Sequence, residues 1–251
     1  MTTTNPMETV DTSWKGLYEW GGVLSLINGV LYIVGVVLFA GLGATPSGGE
    51  AVLKWLGGQT TLAYTAEGVF ILADILFVPV VLALYLALKG VNKNAMLAAV
   101  GFGGVGLVLD AGVTCISWVA LITISQNYTA ATSDVLRAAY VATANYALAA
   151  TAVSAPVYSL AISSIGVLII SLVMLKGIFS RVTAYLGIVG SIAGFVYGIS
   201  LFVPALAISA VVVGSSVGNL GLACRHQALQ AGQALVRRPR KGPSWSCLVD
   251  T

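Results

Sequence analysis

Charged residues are scarce in this chain of 251 residues, where Asp, Glu, Lys and Arg together make up 8% of the sequence. Soluble domains carry about a quarter charged residues, because charged side chains keep their surfaces hydrated. Apolar residues instead make up 58% of the chain. This composition excludes an ordinary soluble domain and predicts an integral membrane protein, with the lipid bilayer as its main partner.

Histidine, cysteine and net charge are also low, and each shortage excludes a class of function. The single histidine, His226, rules out bis-histidine haem and a serine–histidine hydrolytic pair within the bilayer. Three scattered cysteines cannot form a disulfide framework, and Cys224 with His226 offers too few ligands for zinc. A net charge of +3 is too weak to indicate nucleic acid. We therefore expect no metal, no cofactor and no nucleic-acid partner.

No set of residues typical of an enzyme is recognisable, so we expect no catalytic residues. The glycines from Gly101 to Gly106 match the dinucleotide-binding pattern G-x-G-x-x-G. That pattern binds nucleotide only after a strand, whereas these glycines lie within a predicted membrane span. Close packing of helices explains them better.

Long runs without charge predict six membrane spans, since a helix needs about 20 residues to cross the hydrocarbon core. The spans are residues 21–41, 66–88, 95–122 and 156–175, and two more within 182–224, with a turn near 200–204. A short linker at 90–94 joins the second and third spans into a hairpin. Ser133 and Asp134 are typical caps for a further helix, which we place outside the membrane or at its interface. Pro156 is expected to separate that helix from the fourth span.

The fold class is therefore all-α: an integral membrane bundle of six transmembrane helices, plus one extra-membrane or interfacial helix between spans three and four. Of the 12 Lys and Arg residues, all but Lys54 and Arg137 fall on the side of the two termini. Cytoplasmic loops hold the excess of positive charge, so both termini are expected in the cytoplasm of a cell-membrane protein. The chain divides into a cytoplasmic segment 1–20, a six-span domain 21–224 and a basic cytoplasmic tail 225–251. We interpret the positive charge of the tail first as a topology signal, with contact with anionic lipid headgroups as the alternative.

Three carboxylates lie within the predicted spans, although each costs roughly 2.5 to 3.5 kcal/mol at a bilayer centre. Counted from the linker at 90–94, Asp74 and Asp110 lie at similar depth on adjacent antiparallel helices. Glu67 comes seven residues before Asp74, on the same helix face and nearer the outer surface. Two facing aspartates repel when both are ionised, so the pair can hold and release a proton. We interpret all three as substrate- or proton-binding residues.

Two classes of function stay open. The first is a small transporter or solute-binding or proton-binding membrane protein that uses these carboxylates. The second is a non-catalytic membrane protein that acts through helix or lipid contacts, with carboxylates that only hydrogen-bond or pair with Arg137. Glycines 187, 190, 194 and 198 predict close packing with the sixth span inside one bundle, in preference to dimerisation. The sequence specifies neither a substrate nor an oligomeric state.

Two segments carry a resemblance to a known family. Residues 84–93, LYLALKGVNK, resemble the hairpin of an uncharacterised multi-spanning membrane family, domain of unknown function 4386, although Gly90 stands where that family often has proline. The segment from Lys176 to Gly198 is similar to the entry into the family's fifth helix. The resemblance implies a six-helix integral membrane protein of bacteria or archaea with no assigned activity.

Overall fold

The computed structural model describes residues 15–176, 180–203 and 205–206, and every regular element in that part of the chain is helical. The helices are α1 (Lys15–Gly41), α2 (Gly49–Gly57), α3 (Thr60–Leu109), α4 (Ile116–Ala130), α5 (Asp134–Ser159), α6 (Val167–Met174) and α7 (Arg181–Ile199). Two π-helical turns, Asp110–Cys115 and Leu160–Gly166, join α3 to α4 and α5 to α6. The all-α prediction is confirmed. The predicted sixth span, most of the N-terminal segment and the basic tail lie outside the described residues.

Helix α3 is a hairpin, because the backbone of Asn92 leaves the helical conformation with φ −158° and ψ 93°. The side-chain oxygen of Asn92 accepts a hydrogen bond of 3.0 Å from the backbone N–H of Ala95, which caps the second arm. Leu88 and Met96, on either side of the break, pack in one buried cluster. The arms, residues 60–91 and 93–109, therefore run antiparallel, and the predicted linker is confirmed.

Replacing Asn92 with alanine should destabilise the protein modestly. The change removes the cap on the second arm, and loss of such a cap costs about 1 kcal/mol of unfolding free energy. Thermal unfolding in detergent would measure it, with Asn94→Ala as the control, since Asn94 is exposed two residues along the same turn. Equal melting temperatures for the two variants would show that the cap contributes nothing.

The predicted division at Pro156 is wrong, because the helical path continues from Asp134 through Pro156 to Met174. Ser133 does cap its start, accepting a hydrogen bond of 3.3 Å from the backbone N–H of Leu136. Proline removes one backbone donor, and a local π turn is one way in which an apolar helix restores its hydrogen bonding. Here a π turn begins four residues later, at Leu160. The expected separate helix is therefore the first part of α5, in line with the predicted fourth span.

Helix α2 was not predicted, because its nine residues are too few to cross a membrane. It follows a turn in which Gly43 and Gly48 have φ of 84° and 89°, a conformation that favours glycine. Its apolar face packs against α4 and α5. The resulting α2 cluster consists of Leu42, Val52, Leu53, Leu56, Ala63, Leu121, Ile122, Tyr128, Ala144 and Ala147.

A second apolar cluster lies at the other end of the bundle, around the turn of the hairpin. This turn cluster consists of Leu88, Met96, Ala99, Ile170, Val173, Met174 and Ala184. The α2 cluster joins the ends of α1, α3, α4 and α5 that are farthest from Asn92. The middle segments of the long helices therefore lie between two apolar clusters.

Helix α7 begins at a serine cap, where Ser180 accepts a hydrogen bond from the N–H of Thr183 at 3.2 Å. Gly187, Gly190, Gly194 and Gly198 of this helix are all buried. At Gly198 a Cβ atom would overlap the side chain of Leu160. The prediction that these glycines pack inside the bundle is confirmed. Helix α7 packs against α5, α6 and the π turn between them, whereas the sixth span, predicted as the partner, is outside the described residues.

Among the described residues, three helical stretches are long and apolar enough to cross a membrane by length and composition. These are Glu19–Gly41, Thr60–Ala130 and Arg181–Ile199, and a shorter apolar helix runs from Ser164 to Met174. The second stretch is 71 residues long and contains the turn at Asn92.

Candidate functional site

The three carboxylates predicted from the sequence meet in the middle of the bundle, between the two apolar clusters. Oxygen atoms of Asp74 and Asp110 and the sulfur of Cys115 all lie within 4.8 Å of one another. Asp74 is 3% exposed, and Asp110 is half-buried. Asp74 lies on the first arm of the hairpin and Asp110 directly after the second, so the structure brings the two aspartates together from adjacent antiparallel helices. We call Glu67, Asp74 and Asp110 the acid centre.

Helix α1 supplies a hydrogen-bond donor to this centre. The hydroxyl of Tyr32 donates to Oδ1 of Asp74 over 2.7 Å, and the ring of Tyr32 lies 6.1 Å from that of Phe70. One turn earlier, the buried amide of Asn28 donates to the carbonyl of Ala73. These contacts hold α1 against the first arm of α3 around Asp74. Sequence reasoning missed both residues, although Asn28 and Tyr32 are polar groups four residues apart in a predicted span without charge.

Glu67 lies on the same face of α3 as Asp74, as the spacing predicts, and is 5% exposed. Its carboxyl group is within hydrogen-bonding range of the Cys115 thiol. The sulfur of Cys115 lies 3.9 Å from Oδ2 of Asp74. The thiol therefore stands between the two carboxyl groups and connects them.

The π turn at Asp110–Cys115 explains why the cysteine reaches the acids. Residues five apart in an α-helix point about 140° away from each other, at 3.6 residues per turn. A π turn contains more residues per turn, which brings Cys115 towards the face of Asp110. Sequence reasoning assumed α-helical spacing throughout and so did not place Cys115 in the site.

Hydroxyl groups from α5 and α7 complete the surroundings. Thr114 is within hydrogen-bonding range of Asp110, and its hydroxyl lies 2.9 Å from that of Ser154 on α5. Tyr158, also on α5, interacts with Tyr32. Tyr197 of α7 also lies near Asp110. Four helices thus direct hydroxyl, carboxyl and thiol groups into one interior region.

Within the part of the chain that the structure describes, no lysine or arginine forms an ion pair with the acid centre. Arg137 lies 3.8 Å from Asp134, and Lys54 lies 2.7 Å from Glu50, both at the far end of the bundle. The alternative in which Arg137 pairs with the carboxylates of the acid centre is therefore wrong. The hydrogen-bonding groups that surround Asp74 and Asp110 are neutral hydroxyls and a thiol.

A possible set of metal ligands was missed by the sequence analysis, which weighed only Cys224 and His226. Asp74, Asp110 and Cys115 each offer one ligand atom, and these atoms lie within 4.8 Å of one another. Three protein ligands are the number that an open zinc site uses. The three ligand atoms therefore lie close enough together to share a proton or to bind one cation.

The hairpin turn and the acid centre both lie inside a region that matches a known family. A family model described as a domain of unknown function (DUF4386) matches residues 20–224. The chain belongs to this family. The match includes all of the acid centre of this DUF4386 chain and the hairpin that carries the resemblance in sequence. No curated protein and no solved structure matches the chain.

Proposed function

We propose that this DUF4386 chain is a multi-pass protein of the cell membrane, a small transporter whose acid centre binds a proton, a cation or a small polar solute. One observation carries the proposal: the carboxyl groups of Asp74 and Asp110 lie within 4.8 Å of each other in the interior of an apolar bundle. Intramembrane ionisable residues mark ion and substrate pathways in many membrane proteins.

Burial along α1 supports a location in the bilayer. Val37 is 64% exposed and Ile33 is 52% exposed, whereas Asn28 and Ser25 are 3% and 6% exposed. Soluble proteins show the opposite pattern, with large apolar side chains inside and polar ones outside. A surface of valine and isoleucine over a polar interior suits contact with lipid tails, where small and polar residues mediate helix contacts.

The chemistry of the pair supports binding of a positive charge. Two ionised carboxylates at this distance in a medium of low dielectric constant repel each other strongly. The pair is therefore stable only when a proton or a cation lies between the two groups. Tyr32 and Thr114 offer hydroxyl groups to the same carboxyls. The site can therefore change its occupant without losing every hydrogen bond.

The proposed orientation follows from the distribution of positive charge. With both termini in the cytoplasm, the turn at Asn92 is on the inner side and α2 is on the outer side. Glu67 is then the acid nearest the outer surface and acts as an outer gate to Asp74 and Asp110. The basic tail, residues 225–251, would lie along anionic headgroups of the inner leaflet.

Infrared spectroscopy of the protein in lipid nanodiscs would test whether the pair holds a proton. A protonated carboxyl group has its own C=O stretching band, which shifts in D₂O. We expect this band to be lost in Asp74→Asn or Asp110→Asn and retained in the control Asp134→Asn, whose carboxyl group is fully exposed. A band that survives both single substitutions would overturn proton binding at the pair. If the wild type lacks this band, and if its carboxylate stretching bands do not shift when sodium or zinc ions are added, the acid centre binds neither a proton nor a cation and the proposal is overturned.

A further inference from the structure

A second polar site lies at the α2 end of the bundle, apart from the acid centre. Helix α2, the end of α4 and the first turns of α5 enclose an open cleft of about 790 Å³. Small-molecule sites are commonly clefts of roughly 300–1,000 Å³. The cleft is thus large enough for a small ligand.

Contacts between the three helices hold the walls of the cleft in place. The backbone N–H of Gly49 donates to Oδ1 of Asn145 at 2.8 Å, which joins α2 to α5. The hydroxyl of Tyr128 donates to Oε1 of Glu50 at 3.1 Å, which joins α4 to α2. The α2 cluster packs beneath them. The cleft is therefore formed before any ligand arrives.

Lys54 and Arg137 both line this cleft, and they are the two basic residues that the charge distribution assigns to the outer side. Lys54 donates to Glu50 at 2.7 Å. The hydrogen bond from Lys54, followed by that from Tyr128, holds the pKa of Glu50 below its ordinary value. Glu50 raises the pKa of Lys54 in turn, and the nearby charge of Arg137 opposes that rise. The two cations are therefore close enough to repel each other.

Arg137 has hydrogen-bonding capacity to spare. One terminal nitrogen donates to the carbonyl of Ala131 at 2.9 Å, which fixes the guanidinium against the wall of the cleft. The other lies 3.8 Å from Asp134, whose side chain is fully exposed, so water screens this pair. A guanidinium group has five N–H donors, and an anion can accept several at once.

Two cations and two carboxylates line the cleft, and the hydrogen bonding and exposure of the carboxylates favour an anion over a cation as its ligand. Glu50 already accepts hydrogen bonds from Lys54 and Tyr128, and the side chain of Asp134 is fully exposed. An anion between the two cations would relieve their repulsion. The adjoining wall of α5 is apolar, with Val141 and Ala142 facing the cleft.

We propose that this cleft binds a small amphipathic anion, with a carboxylate or phosphate group between Arg137 and Lys54 and an apolar body along Val141. The cleft is separate from the acid centre, and this proposal does not depend on the function proposed for the acid centre. The same chemistry occurs in a free solute and in the headgroup of an anionic lipid.

Calorimetric titration of the full chain in phosphatidylcholine nanodiscs would test the proposal, with hexanoate and hexyl phosphate as probes. We expect saturable binding that weakens roughly tenfold or more in Arg137→Gln and in Lys54→Gln, since each loses a charge-assisted hydrogen bond. Lys93→Gln, at the opposite end of the bundle, is the matched control and should bind as the wild type does. Asp134→Asn should bind about two- to fivefold more tightly, because a competing negative charge is removed.

Nanodiscs that contain phosphatidylglycerol distinguish the two sources of ligand. If phosphatidylglycerol lowers the affinity for hexyl phosphate, the natural ligand is a lipid headgroup. If hexyl phosphate binds with equal affinity in both kinds of nanodisc, the natural ligand is a free solute. If Arg137→Gln does not fold, Arg137→Lys takes its place, because lysine keeps the charge and loses the planar fork. Lack of saturable binding by the wild type, or unchanged affinity in a folded Arg137 variant, would overturn the proposal. The Asp110→Asn variant should bind the probes with the affinity of the wild type. The test of the cleft is therefore independent of the test of the acid centre.

Discussion

Vesicles reconstituted with Asp74→Asn or Asp110→Asn are expected to show no more proton flux than empty vesicles when a pH gradient is applied. Asparagine keeps the size and part of the hydrogen bonding of aspartate and cannot exchange a proton at neutral pH. Each single change removes one half of the pair that lies within 4.8 Å in the interior. A pH-sensitive dye inside the vesicles would measure the flux, with valinomycin and potassium to balance charge.

Two further variants make this flux experiment decisive. Glu67→Gln should slow the flux without abolishing it, because Glu67 contacts the pair through Cys115. Asp134→Asn should leave the flux unchanged. Unaltered flux in a folded Asp110→Asn protein would show that the carboxylates are structural, as would a wild type that carries neither protons nor sodium ions. Size-exclusion profiles and melting temperatures must match the wild type for any loss to count.

Gly198→Leu is expected to cause the largest loss of stability. A Cβ atom at this position already overlaps Leu160, and the leucine must displace α7 from the π turn of the neighbouring helix. Overpacking of this kind costs typically 1–3 kcal/mol. For a chain of this size the melting temperature should fall by about 2–4 °C for each kcal/mol.

Gly101→Leu is the matched control for that experiment, because no atom lies within 4 Å of a Cβ built at Gly101. We expect its unfolding free energy to stay within about 0.5 kcal/mol of the wild type. Gly198→Ala should fall between the two leucine variants. If both leucine substitutions lower the melting temperature equally, α7 does not pack tightly against Leu160.

Two positions show why local pattern succeeded in one part of the chain and failed in another. The turn near Asn92 is visible in the sequence, because polar and charged residues interrupt two apolar runs. At Pro156 the same kind of reasoning failed, because a proline can lie within a helix when a π turn adjusts the backbone after it. Whether a proline ends a helix depends on what surrounds it, and the residues next to it do not record that.

The sequence by itself determined the helical class, the hairpin, the family and the depth of the acids. Helix rise is constant, so counting residues from the turn at Asn92 places Asp74 and Asp110 level with each other. Only the tertiary structure decided what surrounds them: Tyr32 from α1, and Cys115 rotated by the π turn. It also brought Lys54 and Arg137 to one cleft by means of a short helix that the sequence did not reveal. Distance along a helix follows from the number of residues, whereas direction around it and contact between helices depend on packing across the whole bundle.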